Sequence, residues 1–179
     1  MTTRTNVILI GLRGSGKSTT GRLIAKELGH AFVDLDDATA LEMDATDAGA
    51  AIRDHGIDAF RRAEARALER ELDADATVLA LGGGTPTAPG AAQLIRNAYR
   101  RTETRVLYLR AEPETLLRRI ESDETDRPAL VGGPPLAEIR QLFEERDPLY
   151  RELADEVIDA DTLAPADVAE RVARALDPC

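Results

Sequence analysis

The residues best suited to chemistry form one run near the start of the chain, GLRGSGKS, at residues 11–18. Gly11, Gly16, Lys17 and Ser18 satisfy the pattern GxxxxGK[ST]. Glycines let the backbone curl so that its N–H groups point at phosphate oxygens, while the lysine reaches the outer phosphates and the hydroxyl holds Mg²⁺. We therefore predict a loop that binds the phosphates of ATP or a similar nucleotide.

The scarcity of lysine strengthens this interpretation. Lysine and arginine together number 23, but only Lys17 and Lys26 are lysines. A chain that otherwise prefers arginine thus places a compact ammonium where a point charge suits phosphate. The absence of lysine beyond Lys26 excludes the [NT]KxD motif with which GTPases bind guanine. The alternative to a phosphate loop is an ordinary glycine-rich turn before a helix that Ser18 caps.

The acidic run DLDD at residues 34–37 is a second candidate for chemistry. Motor and remodelling ATPases usually carry an acidic residue after a hydrophobic strand, but the strand TVLAL, residues 77–81, ends here in three glycines. We therefore expect Asp34, at the end of the second strand, to be the partner of Mg²⁺. Alternation along a strand would direct Asp34 to the metal and Asp36 across to a substrate. The alternative is a solvated acidic turn.

Composition limits the class of protein. The 179 residues are 43% hydrophobic and 31% charged, which is typical of one soluble globular domain. Aromatic residues make up only 3%, so we expect one aliphatic core. The net charge of −10 argues against nucleic-acid and membrane partners, and no apolar run is long enough for a membrane span or a signal peptide. We expect a cytoplasmic monomer that acts on small molecules.

Alternating strands and helices predict an α/β protein. We expect three layers, α/β/α, around a central, mostly parallel five-stranded sheet with its ligands at the carboxyl ends of the strands. Strands are predicted at residues 6–11, 31–34, 77–81, 105–109 and 156–158. Helices are predicted at residues 18–28, 48–73 with a break near 55–56, 90–99, 113–121, 136–154 and 165–176. The polar, glycine- and proline-rich stretch at 123–135 predicts a mobile lid.

Six motifs, taken in order and spacing, resemble those of the shikimate kinases, small phosphate-loop enzymes that move the γ-phosphoryl of ATP to the 3-hydroxyl of shikimate. The motifs are GLRGSGKST (11–19), FVDLD (32–36), FRRAE (60–64), LGGG (81–84), RPAL (127–130) and RDPLY (146–150). The resemblance implies a single domain of the P-loop kinase type. Its lid would lie near 123–135, and a helical segment near 37–73 would bind the substrate.

The resemblance also implies roles for individual residues. The catalytic residues would be Lys17, Asp36 and Arg127, with Asp36 as the candidate base and Arg127 closing from the lid over the phosphates. The nucleotide would contact Gly14, Ser15, Gly16, Lys17, Ser18, Thr19, Arg119 and Arg127, with Arg119 against adenine. The substrate would contact Asp36, Arg61, Gly82, Gly83, Gly84 and Arg146. Mg²⁺ would be held through Ser18 and Asp34, and Glu64 would orient the arginines that grip the substrate carboxylate.

Elementary chemistry supports these roles. A guanidinium fork matches a carboxylate, and consecutive glycines permit a backbone approach that any Cβ would block. A loose phosphoryl-transfer transition state needs positioning and charge more than covalent help, which leaves open whether Asp36 is a true base or only orients the hydroxyl. Arg61 could instead be a surface arginine of a charged helix, and Arg146 could pair with Glu144 or Asp147.

The sequence departs from the family pattern in four places. The lid motif, usually RPLL, here contains Ala129, and the GE that commonly precedes the FR motif is replaced by GID at residues 56–58. The spacing from Arg119 to Arg127 differs by one residue, and residues 37–51 match least well. Two other functions stay open. The fold could serve another acceptor such as gluconate or a nucleoside monophosphate, or the chain could be a nucleotide-binding regulatory module without catalysis. The presence of every expected reactive group argues against the latter.

Overall fold

The computed structural model describes residues 5–101, 103–122 and 135–176. Its strands are β1 (Asn6–Ile10), β2 (Ala31–Asp34), β3 (Thr77–Ala80), β4 (Thr104–Arg110) and β5 (Glu156–Asp159). Its helices are α1 (Lys17–Leu28), α2 (Leu35–Glu42), α3 (Ala48–His55), α4 (Ile57–Leu72), α5 (Ala91–Arg101), α6 (Pro113–Glu121), α7 (Pro135–Leu153) and α8 (Pro165–Leu176), with a 3-10 turn at Thr85–Thr87. The predicted lid, including Arg127, lies outside the described residues except for Pro135, which begins α7.

The five strands form one sheet in the order β2-β3-β1-β4-β5, and every pair is parallel. This confirms the predicted α/β class. The central strand β1 is buried along its whole length, as expected for a parallel strand covered on both faces. Asp34 pairs in register with Ala80, and Ala80 pairs with Leu9, so the carboxyl ends of β1, β2 and β3 meet at one edge of the sheet.

The main core is aliphatic, as the composition predicted, and contains two fully buried tyrosines. The rings of Tyr108 on β4 and Tyr150 on α7 pack edge to face with their centroids 5.4 Å apart. The prediction of a single core was incomplete, because Ala48, Ala51 and Phe60 form a second, smaller cluster between α3 and α4. Among the described residues, no helix is both long and apolar enough to cross a membrane.

Helix α2 was not among the helices predicted from periodicity, although most of it falls in the helical segment near 37–73 that the resemblance implied, and it changes the interpretation of the acidic run. Asp34 ends β2 and also caps α2, because its carboxylate accepts a hydrogen bond of 3.1 Å from the backbone N–H of Asp36. Asp36 and Asp37 then occupy the first turn, where acidic side chains favour the positive end of a helix. The expected strand alternation of Asp34 and Asp36 was therefore wrong, since the chain is already helical at Leu35.

Candidate active site

The loop between β1 and α1 has the shape that its glycines predict. Gly11 has φ +150°, and a Cβ there would lie 2.5 Å from the carbonyl oxygen of Leu109 on the neighbouring strand. Gly16 caps α1 at φ 92° with no side-chain hydrogen bond to the first turn. The backbone N–H groups at the start of α1 are therefore not covered by a capping side chain, which is the arrangement that binds phosphate.

Two side chains of the loop are held in fixed positions. The Lys17 ammonium donates to the carbonyl oxygens of Gly11 at 2.9 Å and Leu12 at 3.0 Å, so it lies across the loop. The hydroxyl of Ser18 donates to Asp34 Oδ2 at 2.5 Å. This bond joins the first turn of α1 to the end of β2, and it places a hydroxyl and a carboxylate oxygen together.

One cleft of about 800 Å³ runs along the carboxyl edge of the sheet. It is lined by most of the predicted site residues, namely Gly14, Gly16, Lys17, Ser18, Thr19, Asp34, Asp36, Arg61, Gly82, Gly83, Gly84, Arg119 and Arg146. Among the predicted site residues that the structure describes, Ser15 is the exception: it is 2% exposed, and its N–H donates to the Leu12 carbonyl at 3.2 Å within the loop. The structure thus brings the candidate donor and acceptor residues into one space.

Two arginines from different helices converge on the glycine run at the far end of the cleft. A Cβ on Gly84 would lie 3.0 Å from Nη2 of Arg61 on α4 and 3.5 Å from Nη1 of Arg146 on α7. Arg146 donates to the Gly83 carbonyl at 2.6 Å, and the Tyr150 hydroxyl donates to the same oxygen at 2.7 Å. The alternative that Arg146 pairs with Glu144 or Asp147 is therefore wrong.

A buried carboxylate accompanies these arginines. Glu64 is 2% exposed; its Oε2 accepts from Arg61 Nη1 at 2.6 Å and its Oε1 accepts from the Thr85 hydroxyl at 2.5 Å. Arg61 is consequently held beside the cleft by a buried partner, although its own side chain remains 42% exposed. The two guanidinium groups near the glycine run are suited to bind an anion, while the carboxylates of Glu64 and Asp36 both lie close to Gly82.

Asp36 lines the cleft beside the glycine run. Its Oδ1 would be 2.5 Å from a Cβ on Gly82, so the carboxylate contacts the first glycine after β3. The glycine run also touches the phosphate loop, because a Cβ on Gly83 would lie 3.0 Å from the backbone nitrogen of Arg13. A side chain at either glycine would separate groups that the fold holds together.

The helix that carries Arg146 is anchored to the sheet through Asp147. This carboxylate accepts from the Tyr108 hydroxyl at 2.9 Å, from Arg110 at 3.1 Å and from Arg151 at 2.7 Å. Burial acts to raise the pKa of Asp147, but the hydrogen bonds from Arg151 and Tyr108 and the nearby arginine charges hold it below its usual range. Burial raises the pKa of Tyr150 to about 12, so its hydroxyl stays a donor.

Arg119 occupies the opposite end of the cleft from the arginine pair. Its guanidinium donates to the Ala160 carbonyl at 2.7 Å and lies 3.5 Å from the Gly14 carbonyl. These bonds connect α6 to the phosphate loop and to the segment after β5. Arg119 therefore lies beside the phosphate loop, and its contact with adenine stays a prediction.

Comparison with known proteins identifies the family. A family model described as "Shikimate kinase" matches residues 13–177. The chain belongs to the shikimate kinase family. A shikimate kinase from Thiobacillus denitrificans is 40% identical over 163 residues, covering 89% of this chain and 83% of that protein. One from Marinomonas sp. is 39% identical over 178 residues, covering 96% and 91%.

A solved structure agrees with this result. The shikimate kinase from Acinetobacter baumannii in complex with shikimate is similar with a TM-score of 0.84 at 32% identity, covering 95% of this chain and 91% of that one. Membership of the shikimate kinase family and the shared fold identify this chain as an ATP-dependent kinase. The family resemblance drawn from the six motifs is thereby confirmed.

The structure adds three groups to the shikimate kinase site that the sequence did not assign. Thr85 holds Glu64, Tyr150 holds the Gly83 carbonyl, and Ile52, Ile57 and Phe60 form an apolar wall of the cleft. All three had a sequence signal, because Thr85 follows the glycine run directly, Tyr150 ends the RDPLY motif and Phe60 begins the FRRAE motif. Only Ile52 of the wall adjoins residues 37–51, which match the family least well.

Proposed function

We propose that this chain transfers the γ-phosphoryl of ATP to the 3-hydroxyl of shikimate and releases ADP and shikimate 3-phosphate. The observation that carries the proposal is the convergence of Arg61 and Arg146 on Gly84, in the same cleft as the phosphate loop. A loop alone would fit many nucleotide-dependent enzymes. Two guanidinium groups at the acceptor end fit a small hydroxylated acid.

In this proposal the nucleotide lies along the phosphate loop. Lys17 exchanges its bonds to the loop carbonyls for the outer phosphates, and Arg119 lies toward the base. Gly14, Gly16 and Thr19 line the same side of the cleft, while Ser15 contributes to the shape of the loop from its buried position. Arg127, which lies outside the described residues, is assigned to the lid by its motif.

Mg²⁺ fits the pair formed by Ser18 and Asp34. A hydroxyl and a carboxylate are hard oxygen ligands, and their oxygens are 2.5 Å apart. The described part of the chain contains no group of three or more His, Cys, Asp or Glu side chains that could hold a metal ion. This suits a cation that is bound by one or two protein oxygens together with water and phosphates. When bound, Mg²⁺ supplies charge stabilisation for the transferred phosphoryl.

The acceptor is held by its carboxylate and by its hydroxyls. Arg61 and Arg146 bind the carboxylate beside Gly83 and Gly84, while Asp36 contacts the hydroxyls from the Gly82 side. Asp36 orients the attacking hydroxyl and is the candidate acceptor of its proton. Lys17 and Arg127 stabilise the charge on the transferred group.

We propose that the chain forms one domain, in which the helical segment at 37–73 forms the acceptor side and the lid near 123–135 closes over it. We also propose that the protein is a cytoplasmic monomer that acts on two small molecules and needs no nucleic acid or membrane. The composition supports this part of the proposal, because a net charge of −10 disfavours polyanionic partners. Sedimentation of the purified protein measures the oligomeric state.

A coupled assay of ADP release tests the reaction. The chain is expected to turn over ATP when shikimate is added and to do so poorly with gluconate or with the methyl ester of shikimate, which lacks the carboxylate charge. The Lys17→Met variant serves as the inactive control. A folded protein that binds ATP but releases no ADP with shikimate would overturn the proposal and would favour a regulatory module.

A further inference from the structure

Thr85 makes a buried contact near the acceptor end of the cleft that the proposed function does not use. It is 1% exposed, and its hydroxyl lies 2.5 Å from Glu64 Oε1. An ionised carboxylate only accepts hydrogen bonds, so the hydroxyl is the donor. We propose that Thr85 is a positioning residue that keeps one edge of the Arg61 guanidinium free for the substrate carboxylate. The proposal rests on the function given above.

The backbone fixes the direction of this hydroxyl. The N–H of Thr85 donates to the Gly82 carbonyl at 3.1 Å, and its own carbonyl accepts from Ala88 at 3.0 Å. The residue therefore sits in a closed turn directly after the glycine run. A Cβ on Gly82 would lie 2.9 Å from Thr85 Oγ1 and 3.1 Å from Glu64 Oε1, so the hydroxyl and the carboxylate share one small space.

The two oxygens of Glu64 have different partners. Oε1 accepts a hydrogen bond from the Thr85 hydroxyl, while Oε2 accepts one from Nη1 of Arg61 at 2.6 Å. Nη2 of Arg61 instead faces Gly84, where a Cβ would lie 3.0 Å from it. Arg61 thus uses one nitrogen for Glu64 and presents the other to the cleft beside Arg146.

Removal of the hydroxyl changes this division. A carboxylate and a guanidinium prefer a fork of two parallel hydrogen bonds. With Oε1 left without its donor in a site that water barely reaches, Glu64 draws a second nitrogen of Arg61 to itself. That nitrogen is then lost to the substrate carboxylate. Thr85 therefore acts on acceptor binding through Glu64 and Arg61, and it touches neither substrate.

The test compares two substitutions at this position. Thr85→Val keeps the shape but removes the hydroxyl, and we expect the KM for shikimate to rise about tenfold, while the KM for ATP and kcat stay within about twofold. Thr85→Ser keeps the hydroxyl and is expected to behave as the original chain. The matched control is Thr87→Val, which removes an exposed hydroxyl bonded to the Gly84 carbonyl at 2.8 Å in the same turn.

A purely structural role would give a different pattern. With a purely structural role, Thr85→Val would lower the melting temperature and raise the KM values for shikimate and ATP together. The rise in the KM for shikimate would also be equally large in an Arg61→Lys background, whereas the proposal expects that rise to be smaller there. An unchanged shikimate KM in Thr85→Val, or a raised one in Thr85→Ser, would overturn the proposal. If Thr85→Val does not fold, Thr85→Ala removes the same hydroxyl without adding bulk. The same outcomes for the KM for shikimate then support or overturn the proposal. A wild-type chain inactive with shikimate would instead reject the proposed function.

Discussion

The two arginines of the acceptor end should respond differently to truncation, although they bind the same group. We predict that Arg61→Ala and Arg146→Ala both raise the KM for shikimate and leave the KM for ATP nearly unchanged. Only Arg61→Ala should also destabilise the fold. The difference depends on whether removal of the guanidinium deprives a buried group of a hydrogen-bond partner.

Removal of Arg146 leaves no buried acceptor without a donor. Its bond to the Gly83 carbonyl is backed by the Tyr150 hydroxyl at 2.7 Å, so that oxygen keeps a donor. We expect a stability change below about 0.5 kcal/mol, as for a substitution that creates no cavity or orphaned group. Arg61 leaves Glu64, which is 2% exposed, with Thr85 as its remaining donor. An under-satisfied buried acceptor lowers the free energy of unfolding by about 1–3 kcal/mol. Each kcal/mol lowers the melting temperature by roughly 2–4 °C in a chain of this size.

The effect on binding should be similar for the two variants. Each loses at least one charge-assisted hydrogen bond to the substrate, worth about 1.5–3 kcal/mol, which corresponds to a rise of about 10- to 150-fold in KM. Steady-state ADP release measures KM, and thermal melts measure stability. Arg62→Ala, an exposed neighbour of Arg61 on α4, is the control. Equal destabilisation by both variants, or a rise in the KM for ATP matching that for shikimate, would refute the reasoning.

Three further predictions follow from the site. Lys17→Met should lower kcat by about 100- to 1,000-fold, as measured by ADP release, because it removes one donor from the developing phosphoryl charge; near-normal turnover would contradict this. Ser18→Ala and Asp34→Asn should each raise the Mg²⁺ concentration for half-maximal activity, and an unchanged Mg²⁺ titration would exclude both as ligands. Asp147→Asn should lower the melting temperature at neutral pH. The folded pKa of Asp147 is depressed, so its stabilisation is present above the unfolded pKa near 3.9 and is lost as pH falls through the folded value. The variant and the original chain should therefore converge in acid.

The layout of the sheet was predictable because its strands have strong local signals. β2, α6 and α8 begin and end where the sequence placed them, since apolar runs, a first-turn proline and turn residues mark those boundaries. The phosphate loop was equally clear, because its chemistry depends on residues that are consecutive in sequence. Both features are local, and local features can be read from a single sequence.

The unpredicted features depend on contacts between distant residues. Nothing near Arg146 in sequence indicates that it bonds to Gly83, which is 63 positions away. The link from Thr85 to Glu64 spans 21 positions and is equally invisible to periodicity. Helix α2 is a different case, because its signal was local. Asp34 suits a helix cap and the acidic residues after it suit a first turn, but the same run also fits a solvated acidic turn.

The acceptor end divides recognition between charged and apolar side chains that stand partly on different helices. Arg61 and Arg146 adjoin the glycine loop after β3, whereas Ile52 belongs to α3 and packs on the small cluster of Ala48, Ala51 and Phe60. Ile57 and Phe60 share α4 with Arg61, so Ile52 is the wall residue whose substitution reshapes the pocket with the least effect on carboxylate binding. Ile52 is therefore the place to begin directed evolution toward acids of a different ring size.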